Sequence, residues 1–174
     1  MAESIRVGLI GCGRIGTMHA ELVARRVAGL DLSAVYDVSD NAAASVSESL
    51  GVRCTASAAE LIAADDVDVV AICSSTDTHI DLLVEVASVG KPVFVEKPLS
   101  LDLGEVDRGI AAATAAGIAV RSASTDASMQ PIARCVIVWL LVMWGVFIWC
   151  GYLAATLLHL RLLTLRCRAG SSAI

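Results

Sequence analysis

An apolar hexapeptide, residues 5–10 (IRVGLI), runs directly into Gly11-Cys12-Gly13-Arg14-Ile15-Gly16, and residues 15–27 then show helical periodicity. No other stretch constrains the fold as tightly. A short apolar run that meets glycine at once reads as a strand buried on both faces. The first glycine permits a tight turn, the second lets the backbone approach a pyrophosphate, and the third lets a helix pack closely on the strand. The helix start offers free N–H groups and the positive end of its dipole to phosphates, so Gly11, Gly13, Arg14, Ile15 and Gly16 form one candidate cofactor-binding turn.

The same alternation continues downstream. Residues 32–36 predict a second strand ending at Asp37, and 41–50 a helix with Ser39 and Asp40 as possible caps. A brief strand at 52–55, a helix at 58–63 and a β-branched run at 67–73 (VDVVAIC) follow. The polar string 74–79 leads into a helix over 79–89, a strand at 92–95, a helix over 101–116 and a last strand from Gly117. Strands and helices of these lengths imply βαβ units, and hence an α/β fold with a doubly wound parallel sheet over residues 1–120.

Three further features fall where the strands end. Asp37 lies 21 residues beyond Gly16, where a carboxylate accepts both ribose hydroxyls of an adenosine and repels a 2′-phosphate, which favours NAD over NADP. Ser74, Ser75, Thr76 and His79 follow the fourth strand, on the side of an open α/β sheet where ligands sit. Their hydroxyls can contact a nicotinamide ribose; equally, Asp77 or Thr78 can cap the next helix, and His79 serves structure at least as readily as chemistry. Glu96-Lys97-Pro98 follows the fifth strand. A lysine there can polarise or deprotonate a substrate hydroxyl, or simply be an exposed turn residue. The Lys-Pro step restricts Lys97 to extended geometry and admits a cis bond.

Composition excludes several classes. With 56% hydrophobic residues, 18% charged and a net charge of −5, the chain is neither disordered nor a nucleic-acid binder. The six cysteines show no metal-ligand spacing and no disulfide framework, so no metal is expected; Cys54 and Cys73 read as buried small apolar residues. The N-terminus has no secretory pattern, which points to the cytoplasm.

In order and spacing, GLIGCGRIGTMHA, VYD, SSTDTHIDLL and VFVEKPLS resemble the nucleotide-binding half of the Gfo/Idh/MocA oxidoreductases, and among these the inositol 2-dehydrogenases. The resemblance covers about residues 4–120. It implies an NAD-linked oxidation of a ring hydroxyl of a polyol or sugar, with Lys97 as the catalytic lysine and Glu96 and Lys97 also beside the cofactor. It also implies oligomers among intact relatives. It further implies a second, substrate-binding domain that supplies an aspartate and a histidine one turn apart.

After residue 120 the chain departs from that pattern. Residues 1–120 carry 8 Lys and Arg against 17 Asp and Glu, whereas 121–174 carry 5 Arg and 1 Asp, all three tryptophans and no Lys or Glu. Back-translated with free choice of third bases and read one base out of frame, residues 121–129 give VGFNRRFD, which resembles the string with which the family continues. Residues 121–174 therefore read as an out-of-frame translation that replaces the substrate domain. Taken literally, the uncharged run 135–158 is long enough to span a bilayer as a helix and would make the chain a membrane-tethered NAD-binding module. Trp139, Trp144 and Trp149, however, are scattered through the run instead of gathering at its ends.

Overall fold

Strands that are apolar on both faces require helices above and below the sheet. The structure, a computed structural model, describes residues 4–123 and shows that arrangement. The elements are β1 (Ile5–Ile10), α1 (Arg14–Arg26), β2 (Leu30–Tyr36), α2 (Asp40–Leu50), β3 (Arg53–Cys54), α3 (Ala58–Ala63), β4 (Val69–Ile72), α4 (His79–Ser88), β5 (Val93–Val95), α5 (Leu103–Ala116) and β6 (Val120–Ser122). A single 3-10 turn, Thr76–Thr78, precedes α4. The sheet order is β3-β2-β1-β4-β5-β6 with every pair parallel, so the order reverses between β1 and β4. That reversal opens the crevice in which such sheets bind ligands.

Side-chain alternation along the strands divides the core into two layers. Ile10, Val70, Ile72, Val93 and Val95 pack with Leu61 and Ile62 of α3 and with Ile80 and Leu83 of α4. The intervening Phe94 turns to the α1 side, where its ring meets His19 edge-on at 5.5 Å. Gly8 lies on the α3 side. A Cβ there would stand 2.7 Å from the Leu61 side chain, so the glycine sets how closely α3 approaches β1.

Where element ends differ from expectation, local bonds explain the shift. β2 starts at Leu30 because Ile5 N donates to Gly29 O and pairs Ile5 with Leu30. α5 starts at Leu103 because Asp102 caps it, Oδ1 accepting from Gly104 N and Glu105 N at 2.6 and 3.2 Å. β6 begins at Val120, not at Gly117, because Gly117 closes α5 in a left-handed conformation. Ser39 sits at the start of α2, but its side chain makes no cap bond. Cys54 corrects its expected burial: it is exposed, because edge strand β3 pairs with β2 alone, whereas Cys73 is buried. Among the described residues no helix is long and apolar enough to cross a membrane. The expected hydrophobic helix over 135–158, with the remainder of the chain to 174, lies outside the described residues.

Candidate functional site

The glycine-rich turn is built by three close approaches. Gly11 has φ +98°, and a Cβ on it would lie 2.5 Å from the Cys73 carbonyl carbon and Ser74 N, so only glycine lets the turn rest on the end of β4. A Cβ on Gly16 would lie 1.7 Å from Gly11 O, and α1 therefore begins directly against the turn. Gly13 is the opposite case, with nothing within 4 Å of its Cβ position. It stands at the N-cap of α1 without a side-chain cap bond, and the first turn of α1 carries no acid. The exposed start of α1 at Gly13, Arg14 and Ile15 thus stands at the positive end of a helix dipole, a cradle that fits a pyrophosphate.

Asp37, at the end of β2, is bound to this turn. Its Oδ2 accepts Cys12 N–H at 2.6 Å and its Oδ1 accepts Ser39 N–H at 2.8 Å. Each oxygen keeps a second lone pair for a ribose hydroxyl. Burial, and then the Asp37 charge, push the Cys12 thiol up to about 12, so the turn presents a neutral Sγ. Thr17, which the motif reading did not single out, locks the turn from inside: its Oγ1 donates to Cys12 O at 3.1 Å.

At the end of β4 the Ser74 hydroxyl pairs with the Thr78 hydroxyl at 2.7 Å, and Thr78 Oγ1 donates to Ser75 O at 2.8 Å. Thr78 is the N-cap residue of α4, yet its side chain makes no cap bond. His79 is 1% exposed, with Nδ1 2.9 Å from Pro98 O and Nε2 3.1 Å from Ser74 O. Its ring is occupied in clipping the β4 loop to the β5 loop, which is the structural half of the expectation for it.

Lys97 is exposed directly after β5, with a cis peptide bond to Pro98. Its N–H donates to Glu96 Oε2 at 3.0 Å, and Glu96 Oε1 lies 2.7 Å from Nε2 of His19, which is 6% exposed on the inner face of α1. Sequence reading missed His19. Its place on the buried face, three residues after Gly16, was legible, but nothing in the chain announces a partner 77 positions away.

The turn, acid and lysine stand along one edge of a parallel sheet, and the family model described as "Oxidoreductase family, NAD-binding Rossmann fold" (GFO_IDH_MocA) matches residues 5–124. The chain belongs to this family. Its GFO_IDH_MocA domain resembles myo-inositol 2-dehydrogenase of Thermotoga maritima, 45% identical over 107 residues, 61% of this chain and 32% of that protein. It also resembles inositol 2-dehydrogenase of Rhizobium meliloti, 42% identical over 104 residues, 59% of this chain and 31% of that protein. Among solved structures, a probable dehydrogenase from Thermotoga maritima superposes with TM-score 0.66 at 41% identity, over 68% of this chain and 35% of that one. GenD2 from gentamicin A biosynthesis, in complex with NAD, gives TM-score 0.65 at 30% identity, over 70% of this chain and 35% of that one. The chain thus spans about a third of the length of the curated relatives it matches.

Proposed function

We propose that residues 4–123 hold NAD as the cofactor half of a dehydrogenase acting on a ring hydroxyl of a polyol, with an inositol as the substrate class. The open cradle at Gly13 carries this reading. Arg14, Ile15 and Gly16 continue it at the start of α1, where N–H groups would hold the pyrophosphate; Asp37 would take the ribose hydroxyls, and Ser74, Ser75 and Thr76 line the nicotinamide side. Bound NAD supplies a hydride acceptor. Lys97 polarises or deprotonates the substrate hydroxyl from the end of β5, with Glu96 beside it. His79 contributes by holding the Ser74 and Pro98 loops together.

The reversal of charge and the family-like string recovered one base out of frame support residues 121–174 as an out-of-frame translation of the substrate domain. The acid/base groups of that domain would then be missing. Purified 174-residue chain is expected to bind NADH more tightly than NADPH in a fluorescence titration, yet to form no NADH with inositols; polyol-dependent NADH formation would refute this. Resequencing the DNA across codons 119–124 tests the frame directly. An extra base that restores the family string supports the reading. An unchanged sequence without a family-length frame downstream overturns it, and membrane fractionation then tests the apolar run 135–158.

A further inference from the structure

His19 is a buried titratable group that the reading above does not use. It lies one helical turn after Gly16 on the buried face of α1, against the Phe94 ring, with Nε2 2.7 Å from Glu96 Oε1. Its Nδ1 is buried and has no hydrogen-bond partner among the described residues. A proton on Nδ1 would be an unpaired buried donor, whereas a bare lone pair costs less, so the proton belongs on Nε2, donating to the carboxylate. Glu96 is anchored again through its backbone, Glu96 N donating to Ile72 O at 2.9 Å, and its free oxygen accepts Lys97 N–H at 3.0 Å. One continuous chain of bonds therefore runs from the interior of α1 to the peptide nitrogen of Lys97.

The consequence is mechanical. α1 is the helix whose first turn forms the open cradle, and Lys97 side-chain exposure leaves its backbone as the part the protein can fix. We propose that His19 is a positioning residue: through Glu96 it ties the Lys97 turn to α1, so that the cofactor cradle and the lysine share one anchor. The link between cradle and lysine as parts of one site rests on the proposed NAD-dependent function; the tie itself does not.

The test uses the full chain, ¹⁵N-labelled, with amide exchange read at Lys97 and at Val70 in the core. His19→Leu is expected to speed Lys97 exchange about tenfold, the loss of a hydrogen bond to a charged group, with Val70 unchanged. His19→Gln, whose amide N–H can stand where Nε2–H stood, is expected to restore most of that protection. Imidazole ¹⁵N shifts of the parent should show Nε2 protonated and Nδ1 bare. NADH is expected to slow Lys97 exchange in the parent and in His19→Gln but not in His19→Leu.

Equal Lys97 exchange in parent and His19→Leu, or a glutamine variant no better than leucine, overturns the proposal. Should His19→Leu also accelerate Val70, Glu96→Gln decides: its amide cannot accept from His19 and Lys97 together, so unchanged Lys97 exchange there overturns the proposal too. A parent chain that binds no NADH defeats the cofactor reading alone, because the ligand-free comparison still decides the role of His19.

Discussion

The Asp37 carboxylate accepts the Cys12 backbone N–H at 2.6 Å, across 25 residues of sequence. The acid proposed to read a ribose is thus also a strut of the turn proposed to hold a pyrophosphate. Asp37→Ala removes both, and hydrogen bonds to charged groups contribute about 1.5–3 kcal/mol, with the lower end apt for a half-buried carboxylate. NADH affinity is expected to fall about tenfold or more, and the preference for NADH over NADPH to narrow, in parallel fluorescence titrations. An unaltered preference in a folded variant would count against the ribose role.

Gly13 and Gly16 separate binding from folding. Alanine at Gly16 would drive a Cβ to 1.7 Å from Gly11 O, an overlap that backbone must relieve. Overpacking of this kind costs about 1–3 kcal/mol, and a clash with backbone belongs at the upper end, so the thermal midpoint should drop by many degrees. Alanine at Gly13 meets nothing within 4 Å and should cost about 1 kcal/mol or less, that of a poorer cap. The same methyl intrudes on the cradle, so NADH binding should collapse while the melting midpoint falls by only a few degrees. Strong binding by Gly13→Ala would place the phosphates elsewhere.

Much of this was legible in the chain, for physical reasons that differ from element to element. Buried strands such as β1 and β4 show as apolar runs, and the glycine turn shows because only glycine survives the contacts at Gly11 and Gly16. Cap chemistry was less legible: Asp102 shortens α5, and Gly117 delays β6, through bonds that a periodicity count does not weigh. Cys54 looked buried because its type usually is, but position on an edge strand decides exposure. The least legible pairs, His19 with Glu96 and His79 with Pro98, are long-range contacts that exist only once the parallel order of the sheet brings α1, α4 and the β5 end together.

His79 offers a second test of the loop geometry. Its buried ring lies between Ser74 O and Pro98 O, a neutral imidazole donates to one of them, and His79→Leu leaves that carbonyl without its donor and both loops without the ring between them. A loss of about 1–3 kcal/mol is expected, read as a lower urea midpoint at unchanged slope. Amide exchange should rise in the 74–78 and 97–100 loops together. Loosening of only one loop would show that the ring does not couple them.

Acid stability has a defined sign at Asp68. The Arg6 side chain, bonded to it at 2.7 and 3.0 Å, is the first cause holding the carboxyl below its usual range, and burial opposes it. Folding therefore favours the ionised form. The stabilisation is complete above the unfolded value near pH 4 and is lost as pH falls through the lower folded value. Both side chains are more than 40% exposed, so the pair is worth about 1 kcal/mol or less. Asp68→Asn should melt slightly below the parent at neutral pH, and the two curves should converge as the carboxyl protonates. A gap that persists in acid would assign the loss to packing.

Thiol chemistry checks how tightly the glycine turn is closed. Cys12 is 5% exposed and its thiol is pushed up to about 12, chiefly by burial and next by Asp37, so at pH 8 it stays protonated and unreactive. Burial pushes Cys73 up as well, with Glu96 and Cys12 adding to it. Cys54 is exposed on β3. Iodoacetamide at pH 8, followed by peptide mass spectrometry, should therefore mark Cys54 within the folded state, and Cys12 and Cys73 only after denaturation. Labelling of Cys12 at a rate near that of Cys54 would mean that the turn opens readily, and the bond from Cys12 N–H to Asp37 could not then hold the cradle in shape.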